Sequence, residues 1–282
     1  MDCARRPGLS ESTLMAAAIE LRGVTKRFLT PSAGVYTALR DLNLAVEPGE
    51  FCAVVGPTGC GKSTTLALIS GLEPPSEGEV EVFGRPVTGI ADGIGYMFQS
   101  DAVFPWKTVL ENVAAGPRYH GLSNRDARLK ARDWIARVGL AGFEDRYPYQ
   151  LSGGMRKRVA LAQSLINGPR ILLMDEPFSA LDVQTRSLME NELLGLWAAS
   201  SASVVFVTHD LEEAISLSDR VFVITAGPGT VKSNYKVDLQ RPRNVAEIRF
   251  EPHFVEIYQE IWNDLRDEVA VSYERQKRSG AA

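Results

Sequence analysis

The chain has 282 residues, 45% of them hydrophobic and 23% charged, with a formal net charge of -4 and a pI of about 5.6. This suits one large or two small globular domains, and with no long basic run it argues against a nucleic-acid-binding surface. Three cysteines, Cys3, Cys52 and Cys60, cannot make a disulfide framework and fit a reducing compartment, and no apolar run reaches the length of a membrane span.

In chain order, residues 1–16 carry Arg5-Arg6 and then a short apolar stretch from Leu14, which Glu20 ends too soon for a signal peptide. They read as a flexible extension, with Met15 an alternative start to Met1. Residues 18–24 alternate apolar and polar as a half-exposed strand does, and residues 37–46 do so through Leu39, Leu42, Leu44 and Val46. Between them, Thr25-Lys26-Arg27-Phe28 and a loop holding Pro31, Gly34 and Tyr36 offer aromatic rings suited to stacking on a base.

Phe51-Cys52-Ala53-Val54-Val55 then reads as a buried strand feeding Gly56-Pro57-Thr58-Gly59-Cys60-Gly61-Lys62-Ser63-Thr64 and a helix start. This matches G-x-x-x-x-G-K-[ST] in the strand-loop-helix setting that the motif needs. The glycines let backbone N–H groups turn inward and the new helix adds its positive dipole end, so a nucleoside triphosphate is the expected ligand. Lys62 would reach the β- and γ-phosphates, and the Ser63 hydroxyl would hold Mg²⁺. Cys60, between glycines near a helix N-terminus, is expected to be a more acidic and reactive thiol than Cys52.

A breaker-rich stretch at 71–78 separates that helix from short strands at 79–83 and 95–98, the second ending at Gln99. In the loop that follows, Phe104, Pro105 and Trp106 form an apolar tip suited to a partner. Residues 126–138 set Leu129, Trp134, Ile135 and Val138 at helical spacing within a helical insertion of about 100–165. Leu151-Ser152-Gly153-Gly154-Met155 opens a further helix, with Ser152 placed as N-cap and a second anion-suited start. Residues 171–174 form an apolar strand ending in Asp175-Glu176, a pairing suited to a Mg²⁺ ligand followed by a base that polarises water. Strands follow at 203–207, ahead of Thr208-His209-Asp210, and at 220–225 and 230–239. An amphipathic helix at 254–269 precedes a polar tail beyond about 273. Alternating strands and helices imply an α/β domain with a mostly parallel sheet.

The order of these motifs resembles the ATP-binding subunit of an ABC transporter over roughly residues 18–240: Walker A at Lys62, the Q-loop at Gln99, the Ser152-Gly153-Gly154 signature, Walker B at Asp175 with Glu176, the D-loop Ser179-Ala180-Leu181-Asp182 and the switch His209. The resemblance implies a P-loop NTPase cassette at 17–240, with an N-terminal antiparallel β-layer, a mostly parallel core sheet and the helical insertion, then a C-terminal helix and tail at 241–282. It implies ATP and Mg²⁺ as ligands, Glu176 as general base, His209 as γ-phosphate sensor, and Gln99 with Ser63 and Asp175 around the metal. The adenine-stacking aromatic falls on Phe28, with Tyr36 a rival. Two copies would pair head to tail, so that Ser152, Gly153 and Gly154 of one chain close on the nucleotide held by the other. A membrane permease would dock near Phe104 and Trp106, placing the subunit peripherally on the cytoplasmic face of the inner membrane, served indirectly by a solute-binding protein.

Residues 103–113 and Arg241-Pro242-Arg243 are similar to the nitrate, sulfonate and taurine importer group. The alternative is a soluble ABC-type ATPase not coupled to transport; the tandem cassettes, coiled-coil insertions and basic linkers typical of that class do not occur here.

Overall fold

A computed structural model describes residues 16–30, 34–100 and 102–280. Its centre is built from three short strands, β3 (Phe51–Val55), β7 (Ile171–Asp175) and β8 (Ser203–Thr208), which are buried along every residue. Near-continuous apolar runs of this kind belong in a parallel sheet covered on both faces. With β6 (Ile94–Met97), β9 (Arg220–Ile224) and β10 (Val231–Lys236) they form a six-stranded sheet ordered β10-β9-β3-β8-β7-β6, parallel except for β10 at one edge.

Side-chain alternation along these strands creates two cores. Phe51, Ala53, Val204, Phe206 and Val221 face α5 (Val183–Ala198), α6 (Leu211–Leu217) and α8 (Pro252–Gly280). Cys52, Val54, Val205, Val207 and Phe222 face the other way, onto α1 (Lys62–Ser70) and a four-stranded antiparallel layer. That layer has the order β2-β1-β4-β5, from β1 (Ile19–Leu29), β2 (Val35–Val46), β4 (Glu77–Val82) and β5 (Arg85–Pro86). A third core joins α2 (Val109–Tyr119), α3 (Asn124–Arg137) and α4 (Gly153–Leu165) through Val109, Leu110, Ala131, Ile135 and Val159. The α/β class, the antiparallel layer, the parallel core sheet and the helical insertion match the expectation from sequence.

Three boundaries differ. Thr25, Lys26, Arg27 and Phe28 continue β1, and Tyr36 belongs to β2, because register shifts after Leu21, Val24 and Lys26 let β1 keep pairing through polar residues. The polar stretch after 273 continues α8 to Gly280, since Glu274, Arg275 and Lys277 are good helix formers even without an apolar face. Helices α2, α5 and α6 were not expected, although each has a sequence cue in its N-cap: Thr108, Asp182 and Asp210 accept hydrogen bonds from the first turn. The expectations for the first 15 residues, Cys3, Pro31 and the chain end past Gly280 lie outside the described residues. α7 (Val245–Ile248) is a single turn that seats Val245 and Ile248 in the core beside α5 and α6.

Candidate functional site

The turn from β3 into α1 forms one wall of a cleft of about 530 Å³, lined by Tyr36, Ala38, Thr58, Gly59, Gly61, Lys62, Ser63, Thr64, Gln99, Glu176 and His209. Gly61 has φ 100°, and a Cβ there would lie 2.5 Å from Leu39 Cδ2, so the tight entry into α1 requires glycine. Lys62 is buried at the first helical position, its Nζ donating to the carbonyls of Gly56 (2.9 Å) and Pro57 (3.2 Å). Gly56 packs beneath the loop on Ile224, and Cys60 is 1% exposed.

The lowered pKa expected of Cys60 at a helix N-terminus is not what this geometry gives, although the shift at Cys52 is the larger of the two. Burial pushes the Cys60 thiol up, and the Lys62 charge only partly opposes this. Cys52 is likewise raised by burial, so neither thiol is poised as a nucleophile.

Opposite the loop, the Ser63 hydroxyl donates to Asp175 Oδ1 at 3.1 Å. Burial raises the Asp175 carboxyl while the Ser63 bond holds it down. Next along the chain, Glu176 has φ 42°, a left-handed backbone at a non-glycine residue, costing about 1–3 kcal/mol. Its N–H donates to Val207 O at 2.9 Å, and Ser179 Oγ donates to its carbonyl at 3.0 Å, which keeps this turn in place. The Glu176 carboxylate meets two other predicted site residues at one oxygen: Gln99 Nε2 donates to Oε2 at 3.2 Å, and His209 Nδ1 lies 3.2 Å from the same atom. Behind His209, Thr208 donates to Glu213 (2.6 Å) and Asp210 caps α6 and pairs with Arg186 (3.0 Å), fixing both neighbours of the histidine.

The cleft therefore gathers Lys62, Ser63, Thr64, Gln99, Glu176 and His209, with Asp175 joined through Ser63. Ser152, Gly153 and Gly154 do not line it; they open α4, where Ser152 Oγ accepts from Met155 N at 3.3 Å. Phe28 does not line it either, being half-buried under the Lys26 ammonium, which lies 4.9 Å from its ring centroid. The ring beside the loop is Tyr36, whose hydroxyl donates to Gly59 O at 3.2 Å and which stands directly opposite Phe28 in the β1–β2 ladder. Lys157 has no place in the sequence reading. Its buried ammonium donates to Gln99 O at 2.8 Å, tying the start of α4 to the cleft, and a lysine three residues past a glycine pair gave no signal of this.

A hard cation fits between Ser63 and Asp175: a hydroxyl and a buried carboxylate already share one point, with the Gln99 side chain across the cleft. Among the described residues no cluster of three His, Cys, Asp or Glu exists, so such an ion would draw most of its oxygens from water and phosphate, as Mg²⁺ does.

Residues 39–179, half of the chain, match the family model described as ABC transporter. The chain belongs to the ABC transporter family. It is 49% identical over 235 residues to an uncharacterized ABC transporter ATP-binding protein of Methanocaldococcus jannaschii, covering 83% of this chain and 86% of that one. It is 41% identical over 245 residues to the nitrate import ATP-binding protein NrtD of Synechocystis (85% and 92% covered), and 40% identical over 233 residues to the aliphatic sulfonates import ATP-binding protein SsuB of Bacillus thuringiensis (83% and 91%). A dimeric ATP-binding cassette solved in a post-hydrolysis state with ADP and Pi superposes with a TM-score of 0.70 at 32% identity, over 79% of this chain and all of that one. The ABC chain described here is thus an ATP-binding subunit and an ATPase by family, and among the described residues no helix is long and apolar enough to cross a membrane.

Proposed function

We propose that this ABC subunit hydrolyses ATP, with Mg²⁺, to drive import of a small anion of the nitrate, sulfonate or taurine kind through a membrane permease on whose cytoplasmic face it sits. The observation that carries the catalytic part is the convergence of Gln99 and His209 on one oxygen of Glu176, across the cleft from Lys62 and Ser63. Lys62 and the loop N–H groups would hold the phosphates, with Tyr36, the ring that lines the cleft, seating the base in place of Phe28. When bound between Ser63, Asp175 and Gln99, Mg²⁺ would supply charge neutralisation on the phosphate oxygens. Glu176 takes the proton of a water whose oxygen bonds to the γ-phosphorus as the β–γ bridging bond breaks, and Gln99 and His209 orient that carboxylate. The names of the import relatives support the solute class.

The docking reading rests on Trp106, which is 71% exposed, with Phe104 5.8 Å from its ring and Lys107 over Phe104. Beside it runs a groove of about 570 Å³ between β6 and the helical insertion, lined by Phe98, Ala102, Phe104, Pro117 and Leu122. An aromatic left in water next to an apolar groove is suited to a permease segment, and the groove's β6 wall leads directly into Gln99. A solute-binding protein would act through that permease.

The test is reconstitution with the permease. Glu176→Gln is expected to bind ATP while hydrolysis and uptake fall at least about a hundredfold. Trp106→Ala should keep ATP binding and basal hydrolysis in the isolated chain but lose permease assembly and uptake. Normal hydrolysis by the first variant, or normal uptake with the second, would refute the corresponding half of the proposal.

A further inference from the structure

The β9–β10 turn, residues 225–230, is not named by any of the motifs above, yet it packs directly on the phosphate loop. A Cβ on Gly229 would lie 2.0 Å from Cys60 O, so this backbone touches the loop with no room for a side chain. A Cβ on Gly227 would lie 3.5 Å from Gly59 O and 3.9 Å from the Tyr36 hydroxyl. The turn is also stitched to β2, Gly229 N donating to Ala38 O (2.8 Å) and Arg40 N to Gly229 O (2.9 Å). Both Ala38 and Tyr36 line the nucleotide cleft.

This turn is held from behind by α8. Ala226 N donates to Glu268 Oε2 at 2.8 Å, the other carboxylate oxygen pairs with Lys232 at 3.1 Å, and Arg275 donates to Gly227 O. A charge-assisted bond to a backbone N–H is among the stronger ways to fix a turn. One turn of helix earlier, Asp264 anchors α8 to the body of β10 through Ser233 and Tyr235, both at 2.6 Å, without touching the turn. The helix thus has two attachments with different addresses.

We propose that Glu268 is a positioning residue for nucleotide binding: through Ala226 it presses the turn against Gly59, Cys60 and Tyr36 and so sets the width of the ATP cleft from the C-terminal helix. This rests on the cleft being the ATP site. Loss of the carboxylate frees the turn, lets Tyr36 and the phosphate loop relax apart, and weakens ATP binding while leaving Glu176, Gln99 and His209 in place. The effect belongs in KM and not in kcat.

The experiment uses the full chain and a fluorescent ATP analogue with Mg²⁺. Glu268→Ala is expected to raise the dissociation constant and KM at least about fivefold, with kcat within about twofold, as removal of one charge-assisted hydrogen bond implies. Glu268→Gln, whose amide oxygen can still accept from Ala226, should stay within about twofold of wild type. Asp264→Ala should lower the unfolding temperature without moving the dissociation constant, because it loosens α8 away from the turn. Wild-type binding strength in Glu268→Ala would overturn the positioning role alone. An equal weakening in Asp264→Ala would also overturn it, since general loosening of α8 would then suffice. Failure of the wild-type chain to bind the analogue would overturn the reading of the cleft itself, and this inference with it.

Discussion

Glu190 sits 2% exposed on α5, near Glu213 and Asp210, which follow His209, and the guanidinium groups of Arg186 and Arg249. Burial first, and the Glu213 charge second, push it up to about 8, against the pull of Arg186. From the ordinary carboxylate range up to about 8 the folded chain keeps a proton that the unfolded chain has released. Stability therefore falls as pH rises through that window, and the loss is complete above it. Glu190→Gln removes this titration. Its unfolding temperature should run close to wild type near pH 5 and exceed it by at least about 4 °C above pH 8. A difference independent of pH, read by thermal unfolding across that range, would show that Glu190 does not titrate there. At this scale the sequence was most informative where chemistry constrains spacing. Lys62, Ser63, Asp175 and Glu176 were legible because a strand-loop-helix turn or a strand end is where their motifs work, Gln99 and His209 only through the family resemblance that the motif order carries, and the structure gathers all six. Glu190 and Cys60 were not legible in the same way, because their behaviour is set by burial that strands distant in sequence create.

Among the elements, α2 shows how a loop motif becomes a shaped surface. Asn112, with no exposed area, donates to the carbonyls of Phe104 (3.1 Å), Lys107 (3.0 Å) and Thr108 (3.0 Å) and accepts from Phe104 N at 2.8 Å. The helix is started by a capping box in which Thr108 and Glu111 satisfy each other's backbone. Together these hold Phe104 and Trp106 at the mouth of the groove. Asn112→Ala leaves several buried polar groups without partners and should cost about 3 kcal/mol in chemical denaturation. Hydrogen exchange at residues 104–108 should rise, while ATP binding persists. Unchanged protection of that segment would mean that the loop is shaped by something other than Asn112. The Phe104-Trp106 tip was legible as an exposed aromatic group, but its support was not. A buried asparagine eight residues on looks like any helical polar residue until the chain has folded back over it. The same reason hid the extent of α8, whose final turns have charge but no apolar stripe to read.

At the scale of the whole molecule, one chain carries two helix starts suited to phosphate, and its own cleft is lined by only one of them. Ser152 is exposed at the head of α4, and the solved relative that superposes on this fold is a dimer. If two copies meet head to tail, each nucleotide is enclosed by Lys62 of one chain and the Ser152 helix start of the other. This can be tested with two inactive variants. Lys62→Ala removes the ammonium proposed to hold the phosphates. Gly153→Asp puts a negative charge at the start of α4 with little disturbance of the chain, since a Cβ there meets nothing nearer than Arg156 Nη2 at 3.8 Å. Each variant alone has two defective sites per dimer. In a mixed dimer both defects fall in one site, and the other site is assembled from the intact loop of the Gly153→Asp chain and the intact helix start of the Lys62→Ala chain. Random pairing makes half of the dimers mixed, so mixing should restore up to about a quarter of the wild-type sites, seen as recovered ATP hydrolysis. In an arrangement where each chain completed its own site, no pairing of these variants could restore activity, and mixtures would stay as inactive as their components.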